Sequence, residues 1–183
     1  MLWKEQQPKF DATQLIFLDE SGVNTGMTRL YGRAPKHERV VEGVPDTRFQ
    51  QVSILSSVRL DGTTIPLVFD GALNGDIFRA YVTQLLVPSL KPGDIVIMDN
   101  LSSHKVSGIT EAIKTAGAFV LFLPPYSPDL NPIEMMWSKI KAILRKLKIR
   151  EKEALDQAIA FAFDCVSLSD ISGWFEHDGY YLC

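Results

Sequence analysis

The sequence is poor in the residues that build several common kinds of protein site. Of its 183 residues only two are cysteine, Cys165 and Cys183, and three are histidine. The cysteine positions match neither a zinc cage nor a disulfide framework, so the fold must hold by packing alone. No apolar run reaches the roughly 20 residues that cross a bilayer. The start, Met1-Leu2-Trp3-Lys4-Glu5, lacks the apolar stretch of a secretion signal. A soluble protein of the cytoplasm, with no membrane partner, is the resulting expectation. A general excess of positive charge is missing too. With a formal net charge of −3, any surface for nucleic acid must be local. Repeats and low-complexity segments are also absent, which removes the solenoid and disordered classes.

What is present is apolar content of 46%, enough for one substantial core. We therefore expect a single domain over residues 1–183, with residues 151–183 as a helical tail. Charge is unevenly placed. Between Lys139 and Lys152 lie Lys139, Lys141, Arg145, Lys146, Lys148, Arg150 and Lys152 against the single acid Glu151.

The run QLIFLD over 14–19 reads as a buried strand that ends in an acid. Residues 24–46 show no clear period and read as a loop or ragged hairpin. Strand patterns follow at 50–60 and 64–69, joined by Asp61-Gly62, a strong tight-turn signal. From Asn74 the period becomes helical through Leu86, with Pro88 and Pro92 marking the exit. DIVIMD over 94–99 is a second apolar strand ending in an acid, and Ser102 or Ser103 could cap a helix that runs to Gly117. Residues 118–123 form a further strand. The proline-punctuated loop PPYSPDLNP leads into a long helix from Ile133 to about Lys148, and a last helix spans about 151–166. This order predicts an α/β fold: a mixed five-stranded sheet with helices on both faces, arranged as in ribonuclease H.

Two aspartates thus stand at the ends of apolar strands, where open α/β sheets place their ligands: Asp19 after LIFL and Asp99 after IVIM. Glu134 begins a helix reached through a loop stiffened by Pro124, Pro125, Pro128 and Pro132. Any one strand-end acid also suits a turn or a helix cap, but all three together suit a hard divalent cation. A pair of such ions, roughly 3.5 to 4 Å apart, can activate an attacking oxygen and stabilise a leaving one at a phosphate.

LDES at 18–21, MDNLSSHK at 98–105 and PPYSPDLNPIEMMWSKIK at 124–141 resemble the signatures of DDE transposases, in particular the bacterial insertion-sequence branch of the Tc/mariner superfamily. The 34 residues between Asp99 and Glu134 resemble the family spacing, and so does the tail WFEHDGYYL. The resemblance implies a ribonuclease H-like catalytic domain in which Asp19, Asp99 and Glu134 bind two Mg²⁺ or Mn²⁺ ions. It implies DNA cleavage at element ends and strand transfer into target DNA, usually at TA dinucleotides, by a homodimer. Such proteins carry helix-turn-helix modules before the catalytic domain. Too few residues precede Asp19 to hold one, so that region is expected to be absent here, with a separate N-terminal DNA-binding subunit as one arrangement.

Asn100 and His104 match the DNxxxH pattern and are expected behind the metal or against substrate, since magnesium disfavours imidazole. On the long helix, Glu134, Ser138, Lys141, Arg145 and Lys148 share one face, opposite an apolar stripe of Ile133, Met136, Ile140, Leu144 and Leu147. Lys139, Lys141, Arg145 and Lys148 are accordingly candidate DNA contacts, although a solvated helix face would look the same. Arg29, Arg33, Lys36, His37 and Arg39 crowd the early loop, where they could grip DNA or a partner. Asp70, Asp94 and Asp129 read as structural acids. Two other functions remain open: a ribonuclease H-like nuclease or resolvase without strand transfer, and an inactive remnant that binds DNA or protein.

Overall fold

A computed structural model of the chain describes residues 3–46 and 49–181. Its elements are α1 (Trp3–Gln6), β1 (Leu15–Asn24), β2 (Gln51–Arg59), β3 (Leu67–Asp70), α2 (Gly75–Tyr81), β4 (Ile95–Met98), α3 (Ile109–Thr115), β5 (Phe119–Phe122), α4 (Pro132–Leu147), α5 (Lys152–Asp164) and α6 (Leu168–His177). The five strands form one sheet in the order β3-β2-β1-β4-β5. β1, β2 and β3 are antiparallel neighbours, whereas β4 and β5 run parallel to β1. This is the mixed ribonuclease H-like sheet that the element order predicts.

Strand alternation sorts the core into two layers. Leu15, Phe17, Val23 and Ile97 pack with residues of α4, α5 and α6, while Ile16, Leu18, Val96 and Met98 pack with residues of α2 and α3. Helices therefore cover both faces. Residues 151–181 do more than trail behind the domain, because Leu155, Ile159, Ile171 and Phe175 belong to the first of these layers. α6 is a further helix beyond the last one expected from the sequence, which spans about 151–166. Its start is a capping box between Ser167 and Asp170. Among the described residues no single helix is long and apolar enough to cross a membrane.

Several boundaries differ from expectation for local reasons. β1 does not stop at Asp19; β2 continues to pair with it from Asp19↔Ser56 to Asn24↔Gln51. The hairpin at 60–63 forms as expected, with Gly62 at φ 91°. The helix from Asn74 is α-helical only to Tyr81 and then loosens into a π turn over Val82–Leu86. There the Thr83 hydroxyl donates back to the Arg79 carbonyl at 2.8 Å and competes with the regular ladder. The next helix begins at Ile109, after a 3₁₀ turn over Ser102–Lys105 and Gly108 at φ 88°. The cap expected at Ser102 or Ser103 involves side chains outside those described, as does Cys183.

Two buried polar side chains, Asp94 and Tyr180, hold the frame. Asp94, at the start of its strand, forms an ion pair with Arg59 and accepts from the Lys91 N–H at 2.6 Å. Removing one partner of such a pair typically costs about 3–5 kcal/mol, so Asp94 is structural. Tyr180 donates its hydroxyl to the Leu130 carbonyl at 2.7 Å and accepts from the Trp3 indole at 3.2 Å. The C-terminal segment thereby pins the proline loop four residues before Glu134.

Asp178 is different, because its Oδ2 is buried with no hydrogen-bond partner among the described residues. Burial pushes its pKa up to about 6, above the roughly 3.9 of an unfolded aspartate. The stabilisation belongs to the protonated acid, so it is present in full below about pH 4. It is lost as pH rises through about 6. We expect Asp178→Asn, which stays neutral, to exceed the parent in stability by about 2 kcal/mol at pH 8 and to match it at pH 4 in urea unfolding. A constant difference across that range would contradict this placement.

Candidate active site

The site follows from strand register. β4 runs parallel to β1 with Leu18 opposite Met98, the last residue of β4. Asp19 and Asp99 are the next residues on each strand. Asp19 has the parity of Phe17, and Asp99 that of Ile97, both of which face the α4 layer. The two carboxylates therefore emerge side by side on the same face of the sheet, one residue past the point where β4 ends.

Glu134 arrives from that layer, in the first turn of α4. Asn131 precedes the helix, Pro132 opens it, and Ile133, Met136, Trp137, Ile140 and Leu144 are buried beneath it. Leu147, expected in the same stripe, is 42% exposed. Asp19, Asp99 and Glu134 line one cleft of about 420 Å³, whose far wall is the loop from Leu123 to Pro128. The sequence-predicted trio is thus brought to a single opening. Among the described residues no three acidic, histidine or cysteine side chains are already closed into a metal cage.

Asp19 is buried and Glu134 exposed at the mouth of the cleft. Burial, then the neighbouring Glu134 and Glu20 carboxylates, push Asp19 up to about 8. The Glu20 backbone N–H pulls the other way, and the Trp137 indole donates to Asp19 Oδ2 at 3.2 Å. Glu134, although exposed as a residue, is also raised, first by partial desolvation of its carboxylate against the cleft and then by Asp99 and Glu20, with Lys141 pulling the other way. Asp99 moves in the opposite direction. Burial works against its charge, yet the His104 ring and the Leu101 N–H, which donates to Oδ1 at 3.0 Å, hold it below the usual carboxylate range.

His104 occupies the other face of the sheet. Its ring is buried, lies 4.5 Å from the Phe78 ring centroid at 31°, and sits between two acids. Nε2 is 3.1 Å from Glu20 Oε2, and Nδ1 is 2.6 Å from Asp99 Oδ1, close enough for a charge pair although off the ideal hydrogen-bond direction. Burial opposes the cation, but the Asp99 and Glu20 contacts raise the pKa to about 9, so the ring is charged at neutral pH. The ring is absent from the lining of the cleft and meets Asp99 from behind. Asn100 is exposed at the cleft and donates to the Leu123 carbonyl at 2.5 Å, which ties the tip of β4 to the proline loop.

Sequence reasoning passed over two members of the site. Glu20 lies beside Asp19 but points to the opposite face, and only the alternation of β1 together with the position of His104 reveals its part. Trp137 reads as core in the sequence, and its indole N–H becomes informative only when its neighbour is known. Among the candidate DNA contacts, Lys139 is paired with Asp170 and Lys148 with Glu42, while Lys141 faces Glu134 and Arg145 lines a separate groove.

Three carboxylates facing each other without a cation oppose folding, and all their donors are oxygens, which suits a hard divalent ion. We expect Asp19→Asn to raise metal-free stability at pH 7 by on the order of 1–2 kcal/mol, since it removes the cost of folding an acid that burial and neighbouring carboxylates hold protonated above its ordinary range, and keeps an acceptor for Trp137. Manganese should raise the melting temperature of the parent and leave that of the variant nearly unmoved. A destabilised metal-free variant would show that Asp19 is not under electrostatic load.

The fold has counterparts among solved structures. The Mos1 transposase paired-end complex with the left transposon end matches over 98% of this chain with a TM-score of 0.69 at 16% identity. The Mos1 mariner paired-end complex with Mn matches over 98% with a TM-score of 0.63 at 15% identity. This chain spans 60% of the length of each. The isolated catalytic domain of Mos1 mariner transposase matches over 97% of this chain and 88% of its own, with a TM-score of 0.64 at 15% identity. No curated protein matches the chain by sequence. The sequence model of the DDE superfamily endonucleases matches residues 14–156. That span takes in Asp19, Asp99 and Glu134 together with every strand of the sheet, and the chain belongs to the DDE superfamily endonuclease family.

Proposed function

We propose that this chain is the catalytic domain of a DNA transposase, which cleaves DNA at the ends of its element and joins the freed ends to target DNA. The observation that carries this reading is the convergence of Asp19, Asp99 and Glu134 from two parallel strands and a helix on one cleft. Family membership and the likeness to the Mos1 catalytic domain support it.

Asp19, Asp99 and Glu134 are the residues that would hold Mg²⁺ or Mn²⁺, two ions in the full site, and an Mn complex of the related Mos1 enzyme supports this. Bound there, the metal supplies charge stabilisation at the phosphorus and a more acidic attacking oxygen. The residues of this chain do the rest. Trp137 and His104 fix the Asp19 and Asp99 oxygens before DNA arrives, which removes reorganisation from the reaction. Asn100 and Tyr180 set the proline loop that forms the cleft wall and delivers Glu134. In the first reaction water displaces a 3′-oxygen from phosphorus, leaving a 3′-hydroxyl and a 5′-phosphate. In the second that 3′-hydroxyl attacks a target phosphodiester and releases a target 3′-hydroxyl.

Recognition of terminal repeats is assigned to a DNA-binding module outside residues 1–183, in the same polypeptide or in a separate subunit. The active assembly is taken to be a homodimer, a reading supported by the paired-end complexes of Mos1. We expect Asp99→Asn to lower cleavage by more than about 100-fold, because it weakens the metal site, with the fold retained. A pre-cut duplex with a free 3′-hydroxyl should be joined to target DNA by the parent protein. Hydrolysis without joined product would instead identify a nuclease, and parental rates in Asp99→Asn would end the catalytic assignment.

A further inference from the structure

The basic residues of the chain divide into those with a carboxylate partner and those without. Lys139, Lys148 and Lys152 are paired with Asp170, Glu42 and Asp70. Arg29, Arg33, Arg145 and Lys146 have no acidic partner among the described residues, and all four line one open groove of about 980 Å³. One wall is the outer face of α4, which contributes Ser138, Arg145 and Lys146, and the other is the loop that joins β1 to β2.

That loop is anchored to the end of the helix. Arg150 donates to the Thr25 and Met27 carbonyls at 2.8 and 3.1 Å, and the Lys148–Glu42 pair holds its far side. Thr25 and Gln50 close its base. The cations are thus held against α4 by two tethers, which distinguishes the groove from a set of solvated charges. Tyr31, 89% exposed, adds an aromatic face without any partner of its own in the core. Unpaired guanidinium and ammonium groups beside an exposed aromatic ring match the chemistry of a nucleic-acid backbone with an accessible sugar or base.

The groove also lies on the helix that carries Glu134. Ser138 is one turn beyond it, and Arg145 is eleven residues along, or about 17 Å at the helical rise. At roughly 3.4 Å per nucleotide along one strand, this distance corresponds to about five phosphates. We infer that the groove between α4 and the β1–β2 loop is a second DNA contact of this domain, gripping the backbone of the bound duplex about five nucleotides from the phosphate in the cleft. The inference rests on the transposase reading for its geometry, but the groove makes its own, metal-independent contribution to binding.

The test is binding of a fluorescent 30-base-pair duplex to the 183-residue chain in EDTA, where no cleavage occurs, over a series of salt concentrations. Replacing Arg29, Arg33, Arg145 and Lys146 by Gln should weaken binding by about tenfold or more and flatten the slope of log Kd against log salt by about three. Melting should stay unchanged, because none of the four makes an ion pair among the described residues. Lys91→Gln with Lys114→Gln, two exposed lysines outside the groove, should leave affinity close to parental. A single neutral methylphosphonate about five nucleotides from the cleaved position should weaken the parent but not the four-fold variant. Parental affinity and slope in the four-fold variant would overturn the inference. So would displacement of the duplex by a polyglutamate peptide at lower concentration than by unlabelled DNA, which would assign the groove to an acidic protein segment. Groove-dependent binding by a protein that fails to cut in manganese would sink the cleavage reading and leave the groove standing. Parental binding in the groove variant, alongside cleavage that Asp99→Asn abolishes, would do the reverse.

Discussion

The parallel pairing of β1 with β4 is the constraint on which the molecule depends. Because Leu18 lies opposite Met98 and β4 stops there, the aspartates that follow leave the sheet as neighbours on one face. A slip of one residue in this register would turn one acid toward α2 and α3 and the other toward α4, and the cleft would hold no pair. The apolar runs LIFL and IVIM fix that register by burying both faces of each strand. The hydrophobic core thus sets the chemistry through strand alternation, a simple physical rule.

The site is built against electrostatic preference. Asp19, buried and faced by Glu134 and Glu20, is held far from an ordinary carboxylate. Single donors and cations relieve the load: the Trp137 indole at Asp19, the His104 ring between Glu20 and Asp99, and Lys141 beside Glu134. Residues that stabilised this region fully would leave no demand for a cation, and the uncompensated charge is what makes a divalent ion welcome. His104 illustrates the economy of the layout. Its contact with Asp99 joins the two faces of the sheet, so the packing of α2 around Phe78 supports a carboxylate on the other side.

Much of this was legible in the sequence, and the reasons are specific. The apolar runs before Asp19 and Asp99, the Asp61-Gly62 turn and the proline loop before Glu134 are local signals whose meaning survives folding. The long motif around YSPDLNPIE named the family because its length makes chance matching implausible. Contacts between distant segments were not legible. The extension of β1 past Asp19 depends on β2, the bridge from Glu20 to His104 spans 84 positions, and Trp137 reads as core until Asp19 is placed beside it. Charge was the least readable property. Seven basic residues between 139 and 152 look alike in the sequence, yet Lys139, Lys148 and Lys152 meet acids while Arg145 and Lys146 meet none among the described residues.

The central claim is that strand-borne and helix-borne carboxylates share a metal. Anomalous diffraction from crystals of the chain soaked in manganese chloride tests it most directly. The account requires manganese in the cleft, contacted by oxygens of Asp19, Asp99 and Glu134. Manganese bound only elsewhere on the molecule, with those three side chains turned apart, would contradict it.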